Sequence, residues 1–544
     1  MSLKHNQISY IGEILFFIGL ISILISWHFT YPVYMPEVDE LIFNQFHLLI
    51  WPGMILSLLG SFFAGYYSER KIVRILNASI FPIILLVYVF YFSYVPSSDC
   101  GNVKGMFEVF HYTGINPAVE SYFHYPIFFT LNEMTSQILG FNANNLAVIY
   151  FTLFGFLIAL YIYLFIFKTT KNDIYKIAFF AASLYFIAIF NYINYQWVPQ
   201  TLALIFFLML LLLFDRKKSE YKFLSIIIFT VLVFTHLFIP AIYLLFIGIY
   251  AIKKKELRNS FLLMGCIYSA VLIYNASFFL PDLIEAFRES IYGFGKEYTI
   301  NFSRSLMEPK GFLSQIISIV NRIRIPLIWI VLSTGFFVWF IKRKISLPAI
   351  ALTLTGGIYF GIGMFYSVLG TRSLQIMFIP LVIGIGFFFS KWKKLTLLFI
   401  TIMIILSIFG PMRYVYDGYQ FQLNEEENAC NFLAKNIQTE KLTKLAMGNI
   451  NFGYFTQKFS YINIDNNNYN YNNLQVFTPR NSEFYNVFND SMKENKYVLY
   501  NSNLEKEITL NALDMEVYII KKNILYNNKI YICDKTYVFA GERS

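Results

Sequence analysis

Apolar stretches long enough to cross about 30 Å of hydrocarbon recur from Ile11 to Gly410, and no other feature limits the fold so strongly. A bilayer core offers no water to a peptide group, so each crossing must satisfy its own backbone as a helix. Spans are expected near 11–27, 47–66, 75–93, 145–167, 175–192, 199–214, 222–235, 238–250, 259–276, 324–340, 348–365, 373–389 and 395–410, thirteen in all. Periodicity within them is weak, as for helices with lipid on one side and apolar partners on the other. The chain is 57% hydrophobic and 14% charged, against about 25% charged in a soluble domain. That leaves too little polar surface to enclose the apolar mass in water. The short spans at 222–235 and 238–250 read as a tight hairpin broken around Pro240, or as partly re-entrant elements. No small-residue cleavage pattern follows Trp27, so the first segment reads as a retained helix.

Charge placement supplies the orientation. The net charge of +10 would suggest nucleic acid in a soluble protein, but here the basic clusters fall on alternate connections. They are Glu69-Arg70-Lys71 with Arg74, Lys168 with Lys171, Asp215-Arg216-Lys217-Lys218, Lys253-Lys254-Lys255, Lys342-Arg343-Lys344, and Lys391 with Lys393-Lys394. Short, net-basic loops mark the cytoplasmic side. The N-terminus is therefore expected inside and the C-terminus, after thirteen crossings, outside. Merging the two short spans would put consecutive basic loops on opposite faces, so the charge pattern favours the hairpin.

The connections on the other side are long: 28–46, 94–144 and 277–323. They are polar or irregular, yet rich in aromatics and short apolar runs. Met106–Tyr112, Phe128–Leu139 and Phe312–Val320 are candidates for helices lying along the membrane surface. From Pro411 the composition turns Asn-rich and charged, which divides the chain into a membrane domain, 1–410, and a soluble extracytoplasmic domain, 411–544. Asn424 with Glu427 forms a capping box for a helix to about Asn436. Strand-like runs follow at Tyr497–Tyr500, Glu516–Ile520 and Ile530–Phe539, with a turn at Asn527-Asn528. The expected fold class is thus an all-α polytopic membrane protein with a small C-terminal α/β domain. Of the four cysteines, Cys430 and Cys533 share the terminal domain, where they pair or serve as unpaired structural residues.

No GxxxxGK[ST], HExxH, CxxC pair or GxSxG occurs, which removes support for soluble ATP-driven chemistry and for a structural zinc. The polar groups of interest gather on the outer side. Asp99 follows a span in Tyr94-Val95-Pro96-Ser97-Ser98-Asp99, where the lowered dielectric at the membrane border suits a general base, or a group that orients a hydroxyl. Asp39-Glu40 is the competing acidic pair, and Asp99 can instead be a helix cap. His124, in Tyr122-Phe123-His124-Tyr125-Pro126, can share the task or bind a phosphate oxygen. Arg372 lies at the outer start of a span with no acid nearby, and its fork suits a phosphate or pyrophosphate. Arg322 and Arg324 can serve likewise, and snorkelling to headgroups is the alternative for all three. A third group, Asn191, Tyr192, Asn194, Tyr195, Gln196, Trp197 and Gln200 with Thr235 and His236, combines amides with aromatic faces. Such a set suits a sugar-bearing amphiphile as well as it suits interfacial anchoring.

These residues, in their order, resemble the GT-C-fold family of polytopic glycosyltransferases. The resemblance runs through Pro96-Ser97-Ser98-Asp99, Thr113-Gly114, Tyr122 to Pro126, Gln196-Trp197-Val198-Pro199-Gln200 with Ala203-Leu204 opening a span, and Thr235-His236 before the hairpin. It covers roughly 75–440 and is most similar to archaeal and bacterial members with a soluble extracytoplasmic C-terminal domain. It implies a polyprenyl-phosphate-linked sugar as donor, membrane lipid around it, and a glycan, lipid or protein as acceptor, without nucleic acid. It further implies an acidic role for Asp99, a donor-phosphate role for Arg372, and supporting roles for His124, Tyr122 and His236. A divalent cation, Mg or Mn, can neutralise the phosphate, but one isolated loop aspartate is a poor metal site, so this stays open. The family places its acidic loop after the first helix, whereas this loop follows the third span. Spans one and two are then an added hairpin, or the acid is Asp39 or Glu40. No sequon-binding motif is visible, so an oligosaccharyltransferase is not implied. The rival readings are a transporter or flippase for a lipid-linked glycan, a polysaccharide polymerase or ligase, and a noncatalytic assembly subunit. A transporter would show matched broken helices and mid-membrane charges, and neither is evident.

Overall fold

A computed structural model describes residues 2–30, 46–87, 98–115, 121–169, 197–216, 218–277, 346–363, 379–382, 393–408, 428–433, 443–446, 474–477, 496–500, 528–533 and 536–540, with isolated helical positions between 280 and 376. The chain is a multi-pass membrane protein whose spanning part is all-α. Among the described residues, four helices are long and apolar enough to cross a bilayer, namely Asn6–Thr30, Ile50–Tyr67, Ala143–Thr169 and Lys255–Tyr274, and shorter apolar helices accompany them. The helices are α1 (Ser2–Thr30), α2 (Ile50–Tyr67), α3 (Lys71–Leu86), α4 (Ser98–Thr113), α5 (Ile127–Leu139), α6 (Ala143–Thr169), α7 (Pro199–Leu213), α8 (Ser219–Val233), α9 (Phe238–Lys253), α10 (Arg258–Tyr274), α11 (Leu347–Gly363) and α12 (Lys393–Ser407). The expected spans at 175–192, 324–340 and 373–389 lie wholly or largely outside the described residues.

Small residues set the first contact. Gly12 and Gly19 on α1 meet Gly60 and Gly53 on α2, an antiparallel pairing with glycines seven residues apart on each helix. A Cβ at Gly12 would collide with the Ala64 backbone, one at Gly60 with the Phe16 backbone, and one at Gly53 would sit 3.0 Å from the Gly19 carbonyl oxygen. Serine hydroxyls stitch the same seam: Ser9 donates to the Ala64 carbonyl at 3.0 Å and Ser57 to the Phe16 carbonyl at 3.4 Å. Where lipid is as apolar as leucine, close backbone approach and such bonds supply the association. The opposite face of α1, with Tyr10, Ile14, Phe17, Ile21 and Leu24, is exposed.

Neighbouring helices share ends in a consistent way. Lys71 at the start of α3 lies over the Phe167 ring near the end of α6. Lys168 donates to the Leu212 carbonyl at 3.0 Å and stands 4.5 Å from the Phe214 ring. Phe214 in turn meets Phe246 and Tyr250 of α9 edge-on. One end of the bundle therefore gathers the basic connections after α2, α6, α7 and α9. The opposite end carries α4, α5, Trp197 and the α8–α9 turn.

That turn corrects the reading of Pro240 as the break. The chain reverses at 234–237, and Pro240 occupies the first turn of α9, where a missing N–H costs nothing. His236 caps the helix instead: its Nδ1 accepts the Phe238 amide at 3.1 Å and the Ile239 amide at 3.5 Å. The expected surface helix at Met106–Tyr112 extends to Ser98–Thr113, and that at Phe128–Leu139 is α5.

The terminal region holds a five-stranded mixed sheet of β1 (Thr443–Ala446), β2 (Leu474–Phe477), β3 (Lys496–Tyr500), β4 (Asn528–Cys533) and β5 (Thr536–Ala540), ordered β2-β1-β3-β5-β4. β1 runs parallel to β2 and β3, and β5 is antiparallel to β3 and β4. The run expected as one strand over 530–539 is a hairpin, with Cys533 opposite Thr536 across the two-residue connection Asp534-Lys535. Residues 428–433 are helical, inside the helix expected to Asn436, and 516–520 fall outside the described residues.

Candidate functional site

Polar side chains of α4, α5 and the α8–α9 turn lie at the end of the bundle away from the basic connections. Here α4 and α5 lie against α6 and the start of α7. α4 opens with Ser98-Asp99, so Asp99 is its second residue. One face of α4 buries Cys100, Val103, Lys104 and Phe107. Lys104, two residues before the stretch expected to be a surface helix, is 4% exposed.

α5 is held more firmly. It ends at Gly140, whose φ of +67° is left-handed and whose amide donates to the Ser136 carbonyl at 2.8 Å. Glycine reaches that conformation without a Cβ clash, which explains its place at the helix end. At its start the Ile127 amide donates to the Phe234 carbonyl at 3.3 Å, tying α5 to the α8–α9 turn. Thr135 Oγ1 and the Tyr150 hydroxyl, 2.8 Å apart, tie it to α6.

The central lock is Trp197. Its Nε1 donates to Asn132 Oδ1 at 2.7 Å, and Asn132 Nδ2 donates to the Phe128 carbonyl at 2.7 Å. The indole packs against Phe107 of α4 at 5.7 Å and Phe128 of α5 at 5.8 Å, and is wholly buried. Phe110, Phe123 and Phe129 extend this aromatic layer. Trp197, expected to offer an aromatic face to a ligand, is instead buried against these helices. Gln200, just inside α7, is partly buried, and its Nε2 has no hydrogen-bond partner among the described residues.

A second polar group joins α4 to α5 near the far end of α4. His111 Nδ1 lies 2.8 Å from Glu133 Oε1, which also accepts from Gln137 Nε2 at 2.8 Å. His111 is 49% exposed and Glu133 13%, so this pair is a surface tether on a half-buried carboxyl group. Twelve residues of helix separate His111 from Asp99, about 18 Å at 1.5 Å per residue. The two groups therefore mark opposite ends of α4.

Tyr122 is exposed, His124 half-buried, and His236 half-buried in its capping role. With Nδ1 accepting two backbone amides, the neutral His236 ring carries its proton on Nε2, which makes that atom the donor. Burial pushes the Tyr125 hydroxyl up to about 12; the neighbouring Asn275 amide draws it back and Tyr122 adds to the rise. Asp39, Glu40, Gln196, Arg322, Arg324 and Arg372 lie outside the described residues. Among the described residues no group of three or more His, Cys, Asp or Glu is placed to hold a metal ion. Sequence reasoning passed over Asn132, Lys104 and the His111–Glu133–Gln137 group. The i,i+4 spacing of Glu133 and Gln137 on α5 was the available signal for the last.

No family model matches the chain, and no curated protein does. Among solved structures it is similar to the Archaeoglobus fulgidus oligosaccharyltransferase. Against the apo form the identity is 12% and the TM-score 0.48, covering 87% of this chain and 75% of that one. Against the form in complex with an inhibitory peptide and a dolichol-phosphate the values are 13% and 0.47, covering 88% and 75%. Against the form tethered with an acceptor peptide containing the NVT sequon they are 12% and 0.45, covering 87% and 74%.

Proposed function

We propose that this chain is a membrane glycosyltransferase of GT-C type. It moves a sugar from a polyprenyl-phosphate-linked donor to an extracytoplasmic glycan, lipid or protein at the outer membrane interface. The observation that carries the reading is the locked platform of α4 and α5. Trp197, Asn132 and the Ile127–Phe234 bond fix α5 on the bundle end, and the Trp197 ring packs against Phe107 of α4, the helix that opens with Ser98-Asp99. The basic connections at the opposite end support a cytoplasmic N-terminus and an extracytoplasmic C-terminal domain.

In this mechanism Asp99, with Asp39 and Glu40 as alternatives, accepts the proton of the acceptor hydroxyl. The hydroxyl oxygen attacks the anomeric carbon, and the bond to phosphate breaks with its electron pair on the phosphate oxygen. Arg372, with Arg322 and Arg324, stabilises that departing charge. His124, Tyr122 and the Nε2–H of His236 support the substrate, while Gln196 and Gln200 bind sugar hydroxyls. Trp197 acts through Asn132 as a positioning residue. Mg or Mn, when bound, would neutralise phosphate charge; no step here depends on it.

The test is transfer in proteoliposomes from radiolabelled polyprenyl-phosphate sugars, comparing wild type with Asp99→Asn and Arg372→Ala. Both variants should fold in detergent and lose about 100-fold or more in turnover, the scale of a lost general base. Normal turnover in Asp99→Asn removes that residue from the mechanism and moves the role to Asp39 or Glu40. Absence of transfer by the wild type from every such donor overturns the reading.

A further inference from the structure

The proposed transfer leaves a second polar group unused, where the segment entering α5 meets the α8–α9 turn, the end of α10 and the last turns of α11. Tyr125 is 6% exposed, and Asn275, which follows α10, is 1% exposed. Tyr125 Oη and Asn275 Oδ1 are both buried with no hydrogen-bond partner among the described residues, although the Asn275 amide neighbours the phenol. Tyr268, two turns back along α10, donates its hydroxyl to the Leu237 carbonyl at 2.8 Å. Its phenol oxygen also lies within electrostatic reach of those of Tyr359 and Tyr125. The Ile127–Phe234 bond holds the Tyr125 segment on the same turn. The exposed Tyr122 stands near Tyr125 as well, so the group reaches the surface.

A buried polar atom without a partner is costly, so folded chains seldom keep one without a use. Here two stand together, and the atoms on offer set the chemistry of what would satisfy them. Asn275 Oδ1 only accepts, Tyr125 Oη donates and accepts, and Tyr268, its proton given to Leu237, still accepts. A hydroxyl group, donor and acceptor at once, can pair with all three. A phosphate or carboxylate would bring no donor to Oδ1. The segments 122–130, 225–251, 264–275 and 347–363 contain no Lys, Arg, Asp or Glu, so a charged group would meet no counter-charge from them. His236 spends Nδ1 on two backbone amides. Tyrosine rings beside such atoms suit the C–H faces of a sugar, a contact for which the buried Trp197 is not available.

We propose that Tyr125, Tyr268, Tyr359 and Asn275 form a binding site for the hydroxyls of a neutral sugar, carried on a membrane lipid or free in solution. The site stands on these contacts; only the assignment of that sugar to donor or acceptor rests on the transfer reading. The test is thermal unfolding of the full chain in phosphatidylcholine nanodiscs with and without monoglucosyl diacylglycerol, and with methyl β-glucoside in solution as a second arm. The wild-type midpoint should rise by about 2 °C or more with at least one probe. The rise should be lost in Tyr125→Phe and Asn275→Leu and kept in Tyr274→Phe, which alters an exposed neighbour. Without probe, the first two variants should unfold no lower than wild type, because each removes a buried polar atom that lacks a partner; a purely structural pair would lose stability instead. A rise with the lipid alone assigns the site to a membrane glycolipid, and a rise with both probes to the sugar from either source. No rise in the wild type overturns the site, as does a rise that survives in both variants or a lowered midpoint in both without probe. Should one variant fail to fold, the other decides. Transfer without any midpoint effect overturns this site and leaves the proposed transfer standing; a midpoint effect without transfer does the reverse.

Discussion

Replacing Asn132 with leucine removes the acceptor of the Trp197 indole N–H, 2.7 Å away, while keeping side-chain volume, and the consequence can be calculated. Both residues are buried, so the N–H is left without water or protein partner. That costs about 1–3 kcal/mol. Trp197→Phe does the reverse, leaving Asn132 Oδ1 unpaired, and adds a cavity beside Phe107 and Phe128 for a total of about 2–4 kcal/mol. In the double variant neither orphan remains. Its destabilisation should fall short of the sum of the singles by about 1–2 kcal/mol, within the range found for residues in direct contact. Equilibrium unfolding in mixed micelles, followed by circular dichroism, measures all four corners of the cycle. Because the pair holds α4 and α5 to the start of α7, each single variant should also lower transfer. Additivity within about 0.3–0.5 kcal/mol would refute the reasoning, since that is the behaviour of sites that do not touch.

Gly60→Leu should separate α1 from α2, because even a Cβ there meets the Phe16 backbone; a lowered unfolding midpoint in mixed micelles would report it, and an unchanged midpoint would count against the seam. Tyr125, raised to about 12 from 10.0, favours its neutral form in the folded state. The stability it contributes is whole below pH 10 and fades as pH climbs towards 12, so Tyr125→Phe should flatten that alkaline loss in a pH series of unfolding curves. For orientation, Lys254→Cys should react with a membrane-impermeant thiol reagent only from the cytoplasmic side and Ser303→Cys only from outside; reversed labelling would invert the topology.

What could be read without coordinates follows from the physics of each element. The spans expected at 11–27, 47–66, 145–167 and 259–276 were legible because hydrocarbon imposes length and apolarity together, and the hairpin at 222–250 because basic loops had to share a side. The ends were less so: Pro240 looked like a breaker, but a proline in the first turn of a helix breaks nothing. β3 was visible in Tyr497-Val498-Leu499-Tyr500. β1 and β2 were not, since four residues containing Lys444 or Gln475 show too little alternation. The β4–β5 hairpin read as one strand because Asp534-Lys535 lacks the glycine or asparagine that usually announces a tight turn. At the candidate site, Asp99 and His236 could be placed near helix starts. The fate of Trp197 could not, because an indole at a membrane border looks the same whether it faces a sugar or an asparagine 65 positions earlier in the chain.

The glycine seam between α1 and α2 has a bearing on assembly. Two long apolar helices joined by one connection can pair in the bilayer as soon as both are inserted, because their contact needs no residue from later in the chain. Ser61 then offers its hydroxyl to the Asn77 carbonyl at 3.2 Å, giving α3 a first polar foothold on the preformed pair. The first two helices would in this way serve the rest of the bundle as a template laid down early during synthesis, with the outward face of α1 left to lipid throughout.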